Sequence, residues 1–227
     1  MKSFIISAAL ISTASAVVTV DTNYSNPSAV NGSNDSTQFG YEAFVSMGAG
    51  DSWDSVATVG GWSYADLNPA ANPNKGWGHA ATWFLVELTE TTSFSISMDW
   101  LPPASGASEE GRPGFSIYAG ESIVHEPGQL HGFSNNGNDL SLLNSGWDLN
   151  TPSLVFAGNA ENFTGDSVTG TFTLDAGRYT IALGNADDST TSRVDQNYNF
   201  TFSTVPEPSS AILMASGCLA LISRRRR

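Results

Sequence analysis

The segment Phe94-Ser-Ile-Ser-Met-Asp-Trp100 alternates apolar and polar residues without a break. A period of two places alternate side chains on opposite faces of an extended strand, and no helix can sort them that way. The same beat recurs along the chain: in Phe39, Tyr41, Ala43 and Val45; in Phe115 and Ile117 after Pro113-Gly114; in Phe172 and Leu174 before the turn Asp175-Ala176-Gly177; in Tyr179, Ile181 and Leu183; and in Tyr198, Phe200 and Phe202. Trp83 to Leu88 (WFLVEL) is a denser apolar run and predicts a central strand. Clusters of Gly, Pro, Asn, Asp and Ser separate these runs, which is turn chemistry. Nothing in the body has the 3.6-residue period of a helix. The pattern predicts an all-β chain: a single jelly-roll-like β-sandwich over residues 17–204. Two smaller sandwiches dividing near 103–112 are the alternative, but that stretch (PASGASEEGR) is a polar loop rather than a linker. Residues 17–38, rich in Asn, Ser and Thr, read as a leader or a weak first strand.

With 40% hydrophobic and 11% aromatic residues among 227, the chain is too apolar for disorder and long enough for one sizeable core. The formal net charge is −13, and its placement says more. Five of the nine basic residues, Lys2 and Arg224 to Arg227, lie at the two ends. The interior keeps Lys75, Arg112, Arg178 and Arg193 against nearly all of the 22 acids. Such a body repels phosphate backbones, so no nucleic-acid partner is expected. The one cysteine, Cys218, lies in the apolar tail, so the body has no disulfide, no thiol chemistry and no cysteine-based zinc site.

Both ends read as addresses. Residues 1–16 (MKSFIISAALISTASA) carry a positive start, a compact apolar run and a small-x-small cleavage site, the order of a secretory signal peptide. The tail begins with Pro206-Glu207-Pro208, continues as the uncharged, mostly apolar run Ala211–Ser223, and ends on Arg224, Arg225, Arg226 and Arg227. As a helix that run rises ~20 Å, short against a ~30 Å hydrocarbon layer. It suits a short, temporary transmembrane helix whose arginines stay in the cytoplasm. Residues 205–227 resemble the PEP-CTERM sorting signal of Gram-negative bacteria, with all three parts present in order. The resemblance implies recognition and removal by an exosortase, export machinery as a partner, transient inner-membrane anchoring, and a cell-surface or extracellular destination. It also implies association with exopolysaccharide or biofilm matrix. In that reading Pro206, Glu207 and Pro208 are the sorting determinant and Arg224 to Arg227 orient the segment.

The body offers weaker chemical signals. There is no Gly-x-Ser-x-Gly, P-loop or dinucleotide fingerprint, so no enzyme or organic cofactor is expected. His79, His125 and His131 are scattered; Glu126 could join the last two, but nothing fixes a geometry. Carboxylate pairs of glycosidase type could form from Glu109 and Glu110, or from Glu87, Glu90 and Asp99, with Glu87 and Asp99 on strands that could pair. Asp187 and Asp188, with Asp195 further on, gather hard oxygens in one loop and are candidate calcium ligands; Asn138-Asp139 and Asp148–Asn150 form a second cluster. Asn and Asp are also ordinary turn residues. Trp53, Trp62, Trp77 and Trp147 sit in Gly/Asn/Asp-rich contexts, where an indole can stack on a sugar ring or seal the end of a sandwich. Trp62 and Trp77 are the candidate carbohydrate contacts. The expected function is a sorted structural protein of the surface or matrix, with a carbohydrate-binding module, calcium-dependent or not, as the alternative.

Overall fold

The computed structural model describes residues 18–24, 41–60, 63–66, 75–77, 81–102, 111–121, 133–134, 155–186 and 195–206. The signal-peptide and tail-helix expectations fall outside these residues, apart from Pro206. The described residues form thirteen strands and no helix. They are β1 (Thr19–Asp21), β2 (Ala43–Met47), β3 (Ser52–Val59), β4 (Tyr64–Asp66), β5 (Lys75–Trp77), β6 (Thr82–Leu88), β7 (Thr92–Leu101), β8 (Pro113–Ala119), β9 (Phe133–Ser134), β10 (Val155–Glu161), β11 (Ser167–Leu174), β12 (Gly177–Asn185) and β13 (Gln196–Pro206).

A six-stranded sheet runs β1-β2-β6-β12-β8-β10, a four-stranded sheet runs β11-β7-β13-β3, and β4-β5-β9 make a small third sheet. The pairings nest: β8 with β10, β7 with β11, β6 with β12 and β3 with β13. One long hairpin has thus been rolled up, and its successive arms fall alternately into the two main sheets, which is the jelly-roll arrangement expected from the alternation. Among the described residues every pairing is antiparallel except that of β2 with β6, which is parallel.

The alternating residues do what their period requires. Phe94, Ile96 and Met98 from β7, Phe200 and Phe202 from β13, and Phe115, Ile117, Ile181 and Leu183 from β8 and β12 meet in one buried cluster between the sheets. The dense run of β6 has a different cause. Phe84, Val86 and Leu88 enter that inner core, while Trp83 and Leu85 join Tyr41, Tyr118 and Ala182 in a second buried cluster on the other face. A strand covered on both sides needs apolar residues at every position.

Trp53 corrects the reading of its polar surroundings as a loop. It lies in β3 and packs edge-on against Phe84, Phe200 and Phe202 at centroid distances of 5.1–5.7 Å, so it belongs to the core. Edge contacts of this kind suit the opposed charges of ring rim and ring face.

The sandwich closes along one side through two glycines. Phe172 of β11 meets Phe115 edge to face at 6.1 Å. A Cβ on Gly158 of β10 would lie 2.3 Å from the Phe172 ring, and one on Gly170 would lie 2.9 Å from Phe115. The ladder between β10 and β8 shifts register beside Gly158, so the bulged edge strand bends over the ring. Gly158→Ala should lower stability by about 1–3 kcal/mol in denaturant melts. In a Phe172→Leu background the same change should cost clearly less, because the two sites share one contact.

Candidate functional site

The registers give the sandwich two distinct ends. At one end lie the finish of β13 at Pro206 and the start of β7 at Thr92, which pair. The end of β11 at Leu174 pairs with the same Thr92, and the end of β6 at Leu88 pairs with Gly177. At the other end lie the start of β13, opposite Val59, and the end of β12, where Asn185 pairs with Pro113.

The first end is where the chain leaves the sheet toward Glu207. Pro206 is the last strand residue and donates no backbone hydrogen bond, so the first proline of the tail motif also terminates the strand. Three threonine and aspartate contacts hold the residues just before it. Thr92 Oγ1 donates to the Val205 carbonyl at 2.8 Å. Thr204 Oγ1 donates to the Gly48 carbonyl at 2.5 Å and accepts the Asp51 amide at 2.9 Å. Asp51, 5% exposed, turns its carboxylate back to take the Gly48 amide at 2.7 Å. The loop joining β2 to β3 is therefore knotted onto the end of β13. Around it, Glu90 accepts the Ala49 amide at 3.1 Å, and Asp175 accepts the Thr91 hydroxyl at 3.2 Å.

The opposite end carries the residues singled out from the sequence. Trp62 and Asp187–Asp188 lie outside the described residues, but their chain neighbours are tied together. Ser63 Oγ takes the Asn185 amide at 2.9 Å, and the Ser63 amide returns to Gly60 at 3.0 Å. Asn185 is buried, with its Oδ1 accepting from the Arg112 amide at 3.0 Å and the Tyr198 hydroxyl at 3.1 Å. Asp195 is exposed and immediately precedes β13. Gln196, next along, accepts the Trp100 indole N–H at 2.7 Å. Gly111 sits against that indole, where a Cβ would lie 2.1 Å from the ring. Trp77 is the last residue of β5, opposite Tyr64 and Phe133. Ser63 and Asn185, the described residues nearest Trp62 and Asp187, thus meet at the same end as Asp195, away from the exit of the tail. Among the described residues no three His, Cys, Asp or Glu are grouped to hold a metal ion. His79, His125, His131, Glu109, Glu110, Glu126, Asn138-Asp139, Trp147 and Asp148–Asn150 lie outside the described residues.

The proposed pairing of Glu87 with Asp99 is not formed. Glu87 lies in β6 of the six-stranded sheet and Asp99 in β7 of the four-stranded one. Glu87 instead meets Arg178, whose Nε lies 3.3 Å from it. Arg178 Nη1 also donates to Glu121 at 2.6 Å, and its guanidinium stands 5.5 Å from the Phe44 ring centroid. Tyr24 stacks on the same ring at 5.1 Å and donates its hydroxyl to Glu121 at 2.8 Å. Sequence reasoning missed this group because its members lie up to 154 positions apart, from Tyr24 to Arg178. The cluster holds the N-terminal segment onto the sheet. One arginine shared between two carboxylates clamps β12 to β6 and to the end of β8. Burial, then the bond to Glu121, pushes the Tyr24 phenol up to about 12. The bond to Glu121 raises Arg178 despite desolvation, and burial raises Tyr179.

The outer face of the four-stranded sheet is a second feature the residue list alone did not reveal. Cross-strand rows read Ser52–Ser203–Ser95–Thr171, Asp54–Thr201–Ser97–Thr169 and Val56–Asn199–Asp99–Ser167. Hydroxyls and amides are thereby set about 4.8 Å apart across strands and about 6.8 Å along them. Ser95 and Thr171 are hydrogen-bonded at 2.7 Å, as are Thr58 and Asn197 at 2.8 Å.

Residues 204–227 match the model of the PEP-CTERM protein-sorting motif. The match begins inside β13, at Thr204. Among curated proteins no relative of the chain is found. Among solved structures, the chain is similar to CorA, a surface-associated copper-binding protein of Methylomicrobium album BG8. The identity is 12%, coverage is 72% of this chain and 100% of that one, and the TM-score is 0.44. It is also similar to MopE, a secreted protein of Methylococcus capsulatus in which an oxidized tryptophan facilitates copper binding, at 14% identity, 67% and 84% coverage and TM-score 0.43. A third is the pre-peptidase C-terminal domain of a Bacillus anthracis collagenase, at 9% identity, 70% and 91% coverage and TM-score 0.32. No residue here takes a role from these likenesses.

Because the Tyr24 phenol is held protonated in the folded chain, its contribution to stability is full below pH 10 and is lost as pH rises toward 12. Tyr24→Phe should remove one late-ionising phenol from the ultraviolet titration. It should also flatten the fall in melting temperature between pH 10 and 12.

Proposed function

We propose that this is an exported structural protein of the cell surface or extracellular matrix, held briefly in the inner membrane by its tail and released by an exosortase. The single observation that carries the reading is the PEP-CTERM motif at residues 204–227. The motif marks an exosortase-sorted, exported chain destined for the surface or the medium. The body is read as non-enzymatic. Association with hydrated exopolysaccharide is supported by the outer face of the four-stranded sheet, whose rows of hydroxyls and amides match the hydrogen-bonding groups of a polyol. Replacing Pro206-Glu207-Pro208 by three alanines should leave an uncut, membrane-retained precursor in cell fractions. Normal release of that variant would overturn the reading.

A second reading, a carbohydrate-binding module that uses calcium, is favoured by one observation. The chain segments next to Trp62 and to Asp187, Asp188 and Asp195 meet at the end remote from the tail, through Ser63 and Asn185. Trp77 belongs to the small sheet reached from the same connection. With the tail toward the membrane, that end faces outward. Glycan-array binding in calcium, lost in EDTA and lost on Trp62→Ala with Trp77→Ala, is the expected outcome for this reading. Absence of binding by the folded protein under both conditions would leave the structural reading alone.

A further inference from the structure

The sorting motif has no spacer. Pro206 is still paired with Thr92 at the end of the four-stranded sheet, and Glu207 is the next residue. β7 pairs with β13 to its end and β3 flanks its other side as far as Ser203, beyond which Thr92, Thr204 and Asp51 fix its last two non-proline residues by hydrogen bonds. An enzyme that takes a peptide in extended form needs the backbone hydrogen-bonding groups of that peptide free. Here those groups are committed up to Val205. The enzyme that reads Pro206-Glu207-Pro208 must therefore approach with the end of the folded sandwich against it.

The geometry points to that end as a docking surface for the membrane-bound sorting enzyme. Its rim is the loop Gly48–Asp51, the turn Thr89–Thr91 and the turn Asp175–Ala176. Among the described residues the exposed charges on it are Glu90 and Asp175, with Arg178 beside the second turn engaged by Glu87 and Glu121. A partner presenting basic or hydrogen-bond-donating groups complements this rim, whereas anionic lipid head groups repel it. Rim and motif then act as one composite recognition unit, with β13 setting the distance between them. This inference rests on the reading of residues 204–227 as the enzyme's recognition segment, and its test separates the two.

The experiment follows conversion of precursor to mature protein by pulse-chase in cells that process the full-length chain. Four forms are compared: the natural chain; Glu90→Lys with Asp175→Lys; an eight-residue Gly/Ser insertion between Val205 and Pro206; and the insertion combined with the two reversals. Thermal melts confirm that each form is folded, and Glu90→Gln with Asp175→Asn serves as a milder pair should the reversals unfold the rim. With a docking rim, the reversals slow processing about fivefold at natural spacing, and they lose most of that effect once the insertion frees the motif. The same slowing with and without the insertion overturns the proposal. So does no slowing in either form, including the outcome in which the insertion alone accelerates cutting and the sandwich is merely an obstacle. Failure of the natural chain to be processed at all would count against the sorting function instead.

Discussion

The structure depends on one strand finding its slot. β13 fills the gap between β3 and β7, and through Phe200, Phe202 and Tyr198 it supplies the aromatic centre of the core. Remove it and the four-stranded sheet falls into a two-stranded ribbon and a lone strand. Trp53 and Phe84 then lose the rings they pack against. Each such ring contributes about 1.5–3 kcal/mol by burial, so the sandwich is held by its last element rather than decorated with it. The nesting of β3 with β13 around the inner pairs means that the strand with the most distant pairing also occupies an inner place in its sheet. Topologies of this kind fold slowly, because long loops must close before their contacts can form.

Much of this was legible in the sequence, for a physical reason. On β7 and β13 one face meets the core and the other meets solvent, so every second residue reports its environment. The signal failed where that premise failed. β6 is covered on both faces, so it gave an apolar run without a period. Trp53 was misread because its neighbours Asp51, Ser52 and Asp54 point to a loop, although Ser52 and Asp54 only form the outward face of an edge strand. Glu87 and Asp99 were placed together because β6 and β7 follow one another, yet a jelly roll sends successive arms to different sheets. The pairing of scattered residues such as Tyr24, Glu121 and Arg178 has no local signature at all. The sorting motif was legible because it is read by another molecule as a linear string.

The two ends have different chemistry. One end ties Gly48, Asp51, Thr92 and Thr204 around the departing chain. The other ties Ser63, Arg112, Asn185 and Tyr198 to one another. A strand has direction, and β13 lends its direction to the whole molecule. Whatever anchors the tail also decides which loops look away from it. The hydroxyl rows of the four-stranded sheet run along the side between the two ends, available in either reading of the function.

The position of β13 also has a meaning for transit. A chain that crosses a membrane from its N-terminus delivers β3 and β7 long before the strand that must lie between them. Until β13 arrives, both carry unpaired backbone edges, and β7 also bares Phe94, Ile96 and Met98, the kind of surface that seeks any other strand. A chain delivered in that order stays adhesive until β13 is in place, and only then is the four-stranded sheet self-contained.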